Sequence, residues 1–197
     1  MIEIKKEFSA IILAAGKSER LGFPKLSLKY DDKKIFIEHV VNEYLEFSCI
    51  EIILVLNEIG NKYLIDNQIR FNENVKIIIN EHPDWHRFYS LKIGARSLNN
   101  IHAVFVHNVD NPFVNIKVLK ELINCSEKAD YLSPEYEGKG GHPFLISKNI
   151  VQELRSIEEN QMHLKEFLNQ FFKMKVKVDD EKVLVNINTL EEYEKYF

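Results

Sequence analysis

The chain has 197 residues with 26 basic and 30 acidic side chains, a formal charge of −4, 45% apolar residues and 11% aromatics. That balance excludes intrinsic disorder and a fibrous architecture and leaves ample apolar material for one buried core. It also argues against a nucleic-acid coat, which needs clustered Lys and Arg on a basic field, so any anion must be met by a few local cations. Cys49 and Cys125 stand far apart without a C-x-x-C pair, so neither a disulfide framework nor a zinc ribbon is expected. No apolar run approaches the ~18 residues of a membrane-spanning helix. The start, Met1-Ile2-Glu3-Ile4-Lys5-Lys6, lacks an apolar signal core, so the expected setting is a reducing cytoplasm, away from membranes.

Short apolar runs alternate with amphipathic stretches. Residues 10–13 read as a buried strand, apolar without interruption as in a parallel strand covered on both faces. Ile37, Val40, Val41, Tyr44 and Leu45 recur at helical spacing; residues 52–56, 75–79 and 103–106 read as three more buried strands. A helix is expected over 116–123 and a strand over 142–147. A helical stripe follows through Leu164, Phe167, Leu168, Phe171 and Phe172, then a strand over 175–178 and a short helix after Asn188. Neither an internal repeat nor a Pro/Gly-rich linker divides the chain. This alternation predicts an open α/β sheet with right-handed crossovers, in which ligands meet the residues just after each strand.

After the first strand comes Leu13-Ala14-Ala15-Gly16-Lys17-Ser18-Glu19-Arg20-Leu21-Gly22-Phe23-Pro24-Lys25. The two glycines permit positive φ and close backbone approach, so that successive amides form an anion nest. Ser18 suits a cap on a short helical turn, and Arg20 and Lys25 offer a bidentate fork and a point charge for a polyphosphate. Two other phosphate motifs fail: a Walker A loop needs glycine where Ile11 stands, and the dinucleotide fingerprint needs glycine where Ser18 stands. On composition alone the segment reads equally as a tight strand-exit turn with solvated cations.

Residues 13–25 resemble the L-A-A-G-x-S-x-R-[ML]-G-x-P-K signature of nucleotidyltransferases similar to the molybdenum-cofactor guanylyl- and cytidylyltransferases. The resemblance implies a Rossmann-like three-layer α/β fold of the nucleotide-diphospho-sugar transferase type with a mostly parallel central sheet. It also implies a nucleoside triphosphate substrate and Mg²⁺. Leu13, Ala14, Ala15, Gly16, Lys17 and Ser18 are then expected to hold the nucleotide, with Arg20 and Lys25 on the triphosphate. His82-Pro83-Asp84-Trp85, with Arg87-Phe88-Tyr89-Ser90-Leu91, looks like the family segment that closes on base and ribose, which adds Tyr89 and Ser90. Val109-Asp110-Asn111-Pro112-Phe113-Val114 resembles the motif whose aspartate binds Mg²⁺. Gly140-Gly141-His142-Pro143 looks like the turn of the cytidylyltransferase-like branch, placing Gly141 and His142 at the acceptor. Residues 185–192 occupy the place of the terminal element, so Asn188 joins Asp110 as a metal contact. The matches run from Leu13 to Glu192, implying one nucleotidyltransferase domain over residues 1–197.

Several of these residues have a second reading. Asp110 alone reads as an Asx turn into the next helix; the motif upstream turns it into a metal ligand, since Mg²⁺ takes one or two carboxylates plus substrate oxygens. Asn186 and Asn188 stand where relatives often carry a second carboxylate, which leaves room for a catalytically weak NTP-binding regulatory protein. His82 and His86 are four apart, but Pro83 and Trp85 between them argue for a loop rather than a zinc helix. His107 reads as a polar strand end. His142 either orients the acceptor's phosphate or bonds to backbone. The apolar stripe 164–172 reads as core or as a lid over the acceptor. The expected reaction is attack by an already ionised phosphorylated acceptor on the α-phosphorus, which needs no general base. Ala15, where the guanylyltransferase branch has glycine, narrows the base site and favours CTP. Molybdopterin cytidylylation is the leading expectation, with a sugar or polyol phosphate as the alternative acceptor. Oligomeric state is left open.

Overall fold

The computed structural model describes residues 7–197; the amino-terminal run 1–6, read above for a signal core, lies outside them. One sheet carries strands β1 (Ser9–Ala14), β2 (Glu51–Leu56), β3 (Val75–Ile79), β4 (Val104–Asn108), β5 (Tyr131–Tyr136), β6 (Lys139–Gly140), β7 (Phe144–Ile146) and β8 (Lys173–Lys177). Their order is β3-β2-β1-β4-β7-β5-β6, with β8 also paired to β5. β1 is parallel to both β2 and β4, β2 to β3, and β5 to β8; β7 runs antiparallel between β4 and β5. The sheet is therefore mostly parallel, as the α/β alternation predicts.

Among the described residues seven α-helices cover it: α1 (Phe36–Glu46), α2 (Glu58–Asp66), α3 (His86–Ser97), α4 (Ile116–Asn124), α5 (Lys148–Ser156), α6 (Leu164–Leu168) and α7 (Leu190–Glu194). Every residue of β1 and β2 is buried, and the alternation of a strand splits them between two cores. Ala10, Ile12, Ile52 and Leu54 face Ile37, Val40, Val41 and Tyr44 of α1 and Leu119 and Leu122 of α4. Ile11, Leu13, Ile53 and Val55 face Phe88, Leu91 and Ala95 of α3 and Ile150, Val151 and Leu154 of α5. Gly94 lets α3 lie close on β1: a Cβ there would stand 2.8 Å from the Ile11 side chain.

Register levels the strand ends. Ala14 pairs with Leu56, Leu13 with Asn108 and Leu56 with Ile79, so Ala15, Asn57, Asn80 and Val109 all leave the sheet at its carboxyl edge. That edge is where a parallel sheet binds ligands.

Four expectations need correction. β3 is not buried on both faces but is the sheet's outer strand, and with a neighbour on one side only it leaves Ile77 39% exposed. The stripe 164–172 is not one helix: α6 ends at Leu168, and Phe172 points outward at 67% exposure. The expected strand 142–147 narrows to β7, because Ser147 instead caps α5 by accepting from the Ile150 amide, and a cis His142–Pro143 bond precedes the strand. Residues 82–86 are partly helical, a 3₁₀ turn over Pro83–Trp85 running into α3 at His86. Both cysteines are free, as expected. Among the described residues no helix is long and apolar enough to cross a membrane.

Candidate active site

The carboxyl edge opens into a cleft of about 520 Å³ lined by the loop 13–20, Lys25, Pro83, Asp84, His86, Arg87, Ser90, 108–110 and Asn188. It gathers most of the expected residues: Leu13, Ala14, Ala15, Gly16, Lys17, Ser18, Arg20, Lys25, Ser90, Asp110 and Asn188. Three stay outside it. Tyr89 turns away to stack edge-on against Trp85 at 4.9 Å between ring centroids. Gly141 and His142 line a separate hollow of about 490 Å³ with Tyr131, Ser133, Lys173 and Lys175.

The loop's shape has identifiable causes. Gly22 takes the positive φ (+76°) that a glycine permits; Gly16 does not, and Ser18 does instead, at +53°. The Ser18 carbonyl accepts from the Leu21 and Gly22 amides. Its hydroxyl accepts from the Lys25 amide at 3.1 Å, opening the 3₁₀ turn Lys25–Ser27. Ser18 thus caps a short helical turn seven residues on, and in doing so seats Lys25.

Two asparagines outside the motif brace the loop. Asn57, at the end of β2, donates from Nδ2 to the carbonyls of Ala15 (3.2 Å) and Gly16 (3.1 Å) while its Oδ1 accepts from the Gly60 amide at 2.8 Å. Both carbonyls are drawn to one side, as an anion nest of inward amides requires. Asn80, at the end of β3, accepts the His82 amide on Oδ1, so its Nδ2 must donate to Ser90 Oγ, at 2.9 Å. The Ser90 hydroxyl proton is then left to donate to a ligand. Only their place after a parallel strand could have marked these asparagines in the sequence.

Opposite the loop, Asp110 is fixed from three directions. The Val109 amide donates to the Leu13 carbonyl at 3.1 Å, and the Asp110 carbonyl accepts from the Ile187 amide at 2.6 Å. Buried Asn111 donates to the carbonyls of Lys182 and Val183. His107 is more than a polar strand end: it is fully buried, bonded to the Tyr44 hydroxyl (2.9 Å) and to the Asn111 carbonyl. Burial pushes its pKa down to about 4, so a neutral ring locks this turn. The bond to Ile187 carries Asn188 into the cleft; Asn186 lines a different hollow.

Lys25 joins the two sides. Its Nζ donates to Asn188 Oδ1 and lies 3.7 Å from Asp110 Oδ2. Burial lowers its pKa from the usual lysine value; Asp110 opposes that shift and Arg20 reinforces it. Asp110 Oδ1 is buried with no hydrogen-bond partner. A buried carboxylate oxygen without a donor is costly unless a cation meets it. The Asp110 carboxylate and the Asn188 amide oxygen are hard donors that fit Mg²⁺. No group of three or more His, Cys, Asp or Glu suited to a metal occurs among the described residues; a Mg²⁺ ion held by Asp110 and Asn188 would draw its remaining ligands from substrate oxygens and water.

The chain is similar over its length to known proteins. A probable molybdenum cofactor guanylyltransferase of Clostridium perfringens strain 13 is 27% identical over 205 residues, covering 97% of this chain and 96% of that protein. The crystal structure of Rv0371c from Mycobacterium tuberculosis H37Rv superposes with a TM-score of 0.81 at 20% identity, covering 97% of both chains. A manganese complex of that mycobacterial protein gives 0.76 at 19% identity, over 97% of this chain and 98% of that one. The profile of the MobA-like NTP transferase domain matches residues 10–176. The chain belongs to the MobA-like NTP transferase family and is a nucleotidyltransferase.

Proposed function

We propose that the chain moves a nucleoside monophosphate from CTP to a phosphorylated acceptor of molybdopterin type, releasing pyrophosphate. The observation that carries the reading is Lys25, placed between Asp110 and Asn188 beneath the clamped loop of one cleft. The amides of 15–18 and the Arg20 guanidinium suit the β- and γ-phosphates. Lys25 stabilises charge on the departing pyrophosphate, in a partly dehydrated position where that interaction is strong. Asp110 and Asn188 would hold a divalent metal, which when bound supplies charge neutralisation to the phosphate oxygens. The acceptor oxygen bonds to the α-phosphorus as the bond to the β-phosphate breaks, its electrons leaving with pyrophosphate. An ionised phosphate nucleophile has no proton to lose, so the site needs alignment rather than a base. The free cysteines fit a reducing cytoplasm.

For the base, Ala15 favours CTP. It is 5% exposed on the cleft wall, and Asn57 holds its carbonyl, so the loop resists widening for a purine. GTP is the second reading, favoured by the guanylyltransferase name of the clostridial relative. Pyrophosphate release with CTP and GTP, for the native chain and for Ala15→Gly, separates them. One methyl group in a pocket is worth roughly 10-fold or more, so the variant gains at least that factor in GTP over CTP. An unchanged ratio removes Ala15 from base selection.

A further inference from the structure

Lys92 lies in the middle of α3 at 1% exposure, where a lysine is rarely found unless its charge is fully bonded. Its Nζ donates to the Glu158 carbonyl (2.8 Å), the Glu159 carbonyl (2.8 Å) and Asn160 Oδ1 (2.7 Å). The three ammonium protons are thereby matched to three oxygens of one connection, the stretch 157–163 that runs without helix or strand from α5 to α6. Arg96, one turn along α3, donates to the carbonyls of Arg155 and Ile157 where α5 ends. α3 thus grips the connection with two cations, and none of these bonds goes to a carboxylate. Replacing a buried, compensated charge by an apolar side chain of similar volume is often neutral or stabilising, so what this charge supplies is direction.

That direction matters to α6. A helix of five residues is too short to hold itself. Its contact with α3, Phe167 on Phe88 at 5.2 Å between ring centroids, is apolar and non-directional, fixing depth rather than heading. The heading comes from the chain that enters α6, and Lys92 holds that chain. His163, Glu166 and Asn169 line a hollow of about 690 Å³ together with Ala15, Gly16 and Ser90. The last three also line the nucleotide cleft, so the hollow continues it. Ser90 and Lys92 are two residues apart on α3 and point to opposite sides, Ser90 bonded to Asn80 at the end of β3 and Lys92 to the connection. One helix therefore carries both a hydroxyl in the cleft and the anchor of the wall beyond it.

We propose that Lys92 is a positioning residue for the nucleotide. By holding residues 158–160 it sets α6 as the far wall of the nucleotide site, and through that wall it sets the affinity for the Mg²⁺–nucleotide complex. This role rests on the nucleotide reading of the cleft and adds to it a wall outside the loop 13–25.

The test titrates the α,β-methylene analogues of CTP and GTP, with Mg²⁺, into the full chain and its variants well below each Tm, and follows amide hydrogen exchange over 163–168 in the same samples. In the native chain the bound analogue slows exchange across that stretch. Lys92→Met, which keeps the volume and removes the donors, weakens the tighter analogue roughly 10-fold or more and speeds exchange there. Asn160→Ala, at a half-buried position outside α3 that leaves the core intact, removes one of the three bonds and weakens binding about 2- to 3-fold. Asn160→Asp keeps an acceptor for the ammonium and retains native affinity. A lysine that served only stability would lower the Tm of Lys92→Met and Asn160→Ala while affinity and the exchange response stayed native; that result overturns the positioning role and leaves the nucleotide reading standing. A native chain that binds neither analogue with Mg²⁺ overturns both.

Discussion

Asn57→Asp isolates the brace on the nucleotide loop. The carboxylate keeps the Gly60 amide bond, since aspartate is as good an N-cap as asparagine. It cannot donate to the Ala15 and Gly16 carbonyls, whose bonds measure 3.2 and 3.1 Å. Two such bonds at about 0.5–1.5 kcal/mol each amount to about 1–3 kcal/mol of loop order, or roughly 5- to 150-fold in affinity. The new negative charge beneath the triphosphate adds to the loss, so MgNTP-analogue binding is expected to weaken at least ~10-fold. Asn57→Ala loses the cap as well, about 1 kcal/mol of stability, and lowers Tm by roughly 2–4 °C for a chain of this size. Calorimetric titration and thermal unfolding of both variants read the two effects separately. If Asn57→Asp binds the analogue as tightly as the native chain, the loop does not depend on the clamp and the reasoning fails.

Asp110→Asn removes the charge but keeps the shape. Turnover with Mg²⁺ is expected to fall at least ~100-fold, with Tm little changed because the isosteric amide gives up both the cost of the part-buried charge and its 3.7 Å contact with Lys25; full activity would remove Asp110 from the metal. His39, His107 and His142 are each held at a pKa of about 4 by burial, below the ~6.5 of a free ring. The unfolded chain therefore binds more protons, so this stability is full above pH 6.5 and is lost as pH falls through 4. Fully buried His107 alone contributes a slope of about 1.4 kcal/mol per pH unit in that window. Urea midpoints at pH 7, 5.5 and 4.5 measure it, and a flat profile contradicts the burial argument. Gly141→Ala puts a methyl 2.2 Å from the Val183 carbonyl oxygen and should cost about 1–3 kcal/mol of stability, read as a lower denaturant midpoint; no loss would mean the 140–143 turn moves freely.

The strands that build the site's platform were legible because β1, β2 and β4 are unbroken apolar runs whose burial on both faces leaves no other reading. β5 was not, since Ser133-Pro134-Glu135 interrupts the run and only pairing with β7 and β8 makes it a strand. α3 was hidden by its charged residues. One of them, Lys92, is buried, its ammonium donating to the carbonyls of Glu158 and Glu159 and to Asn160 in the segment before α6. Within the site, the contiguous loop 13–25 was legible through its match to a family signature, because its own composition reads equally as a tight turn with solvated cations. Asn57, Asn80 and Asn108 were not, because each bonds to a partner that only the folded chain brings near. Asn186 and Asn188 looked alike in sequence; the bond from Ile187 to Asp110 decides that Asn188 enters the cleft.

The most direct test of nucleotidyl transfer is paired detection of pyrophosphate and nucleotidylated product when the chain is given Mg²⁺, each of the four NTPs and a panel of phosphorylated acceptors that includes molybdopterin. The account predicts one-to-one release of pyrophosphate with product, strongest with CTP and abolished in Asp110→Asn. NTP consumed to NDP and inorganic phosphate, or bound without turnover across the panel, would contradict it.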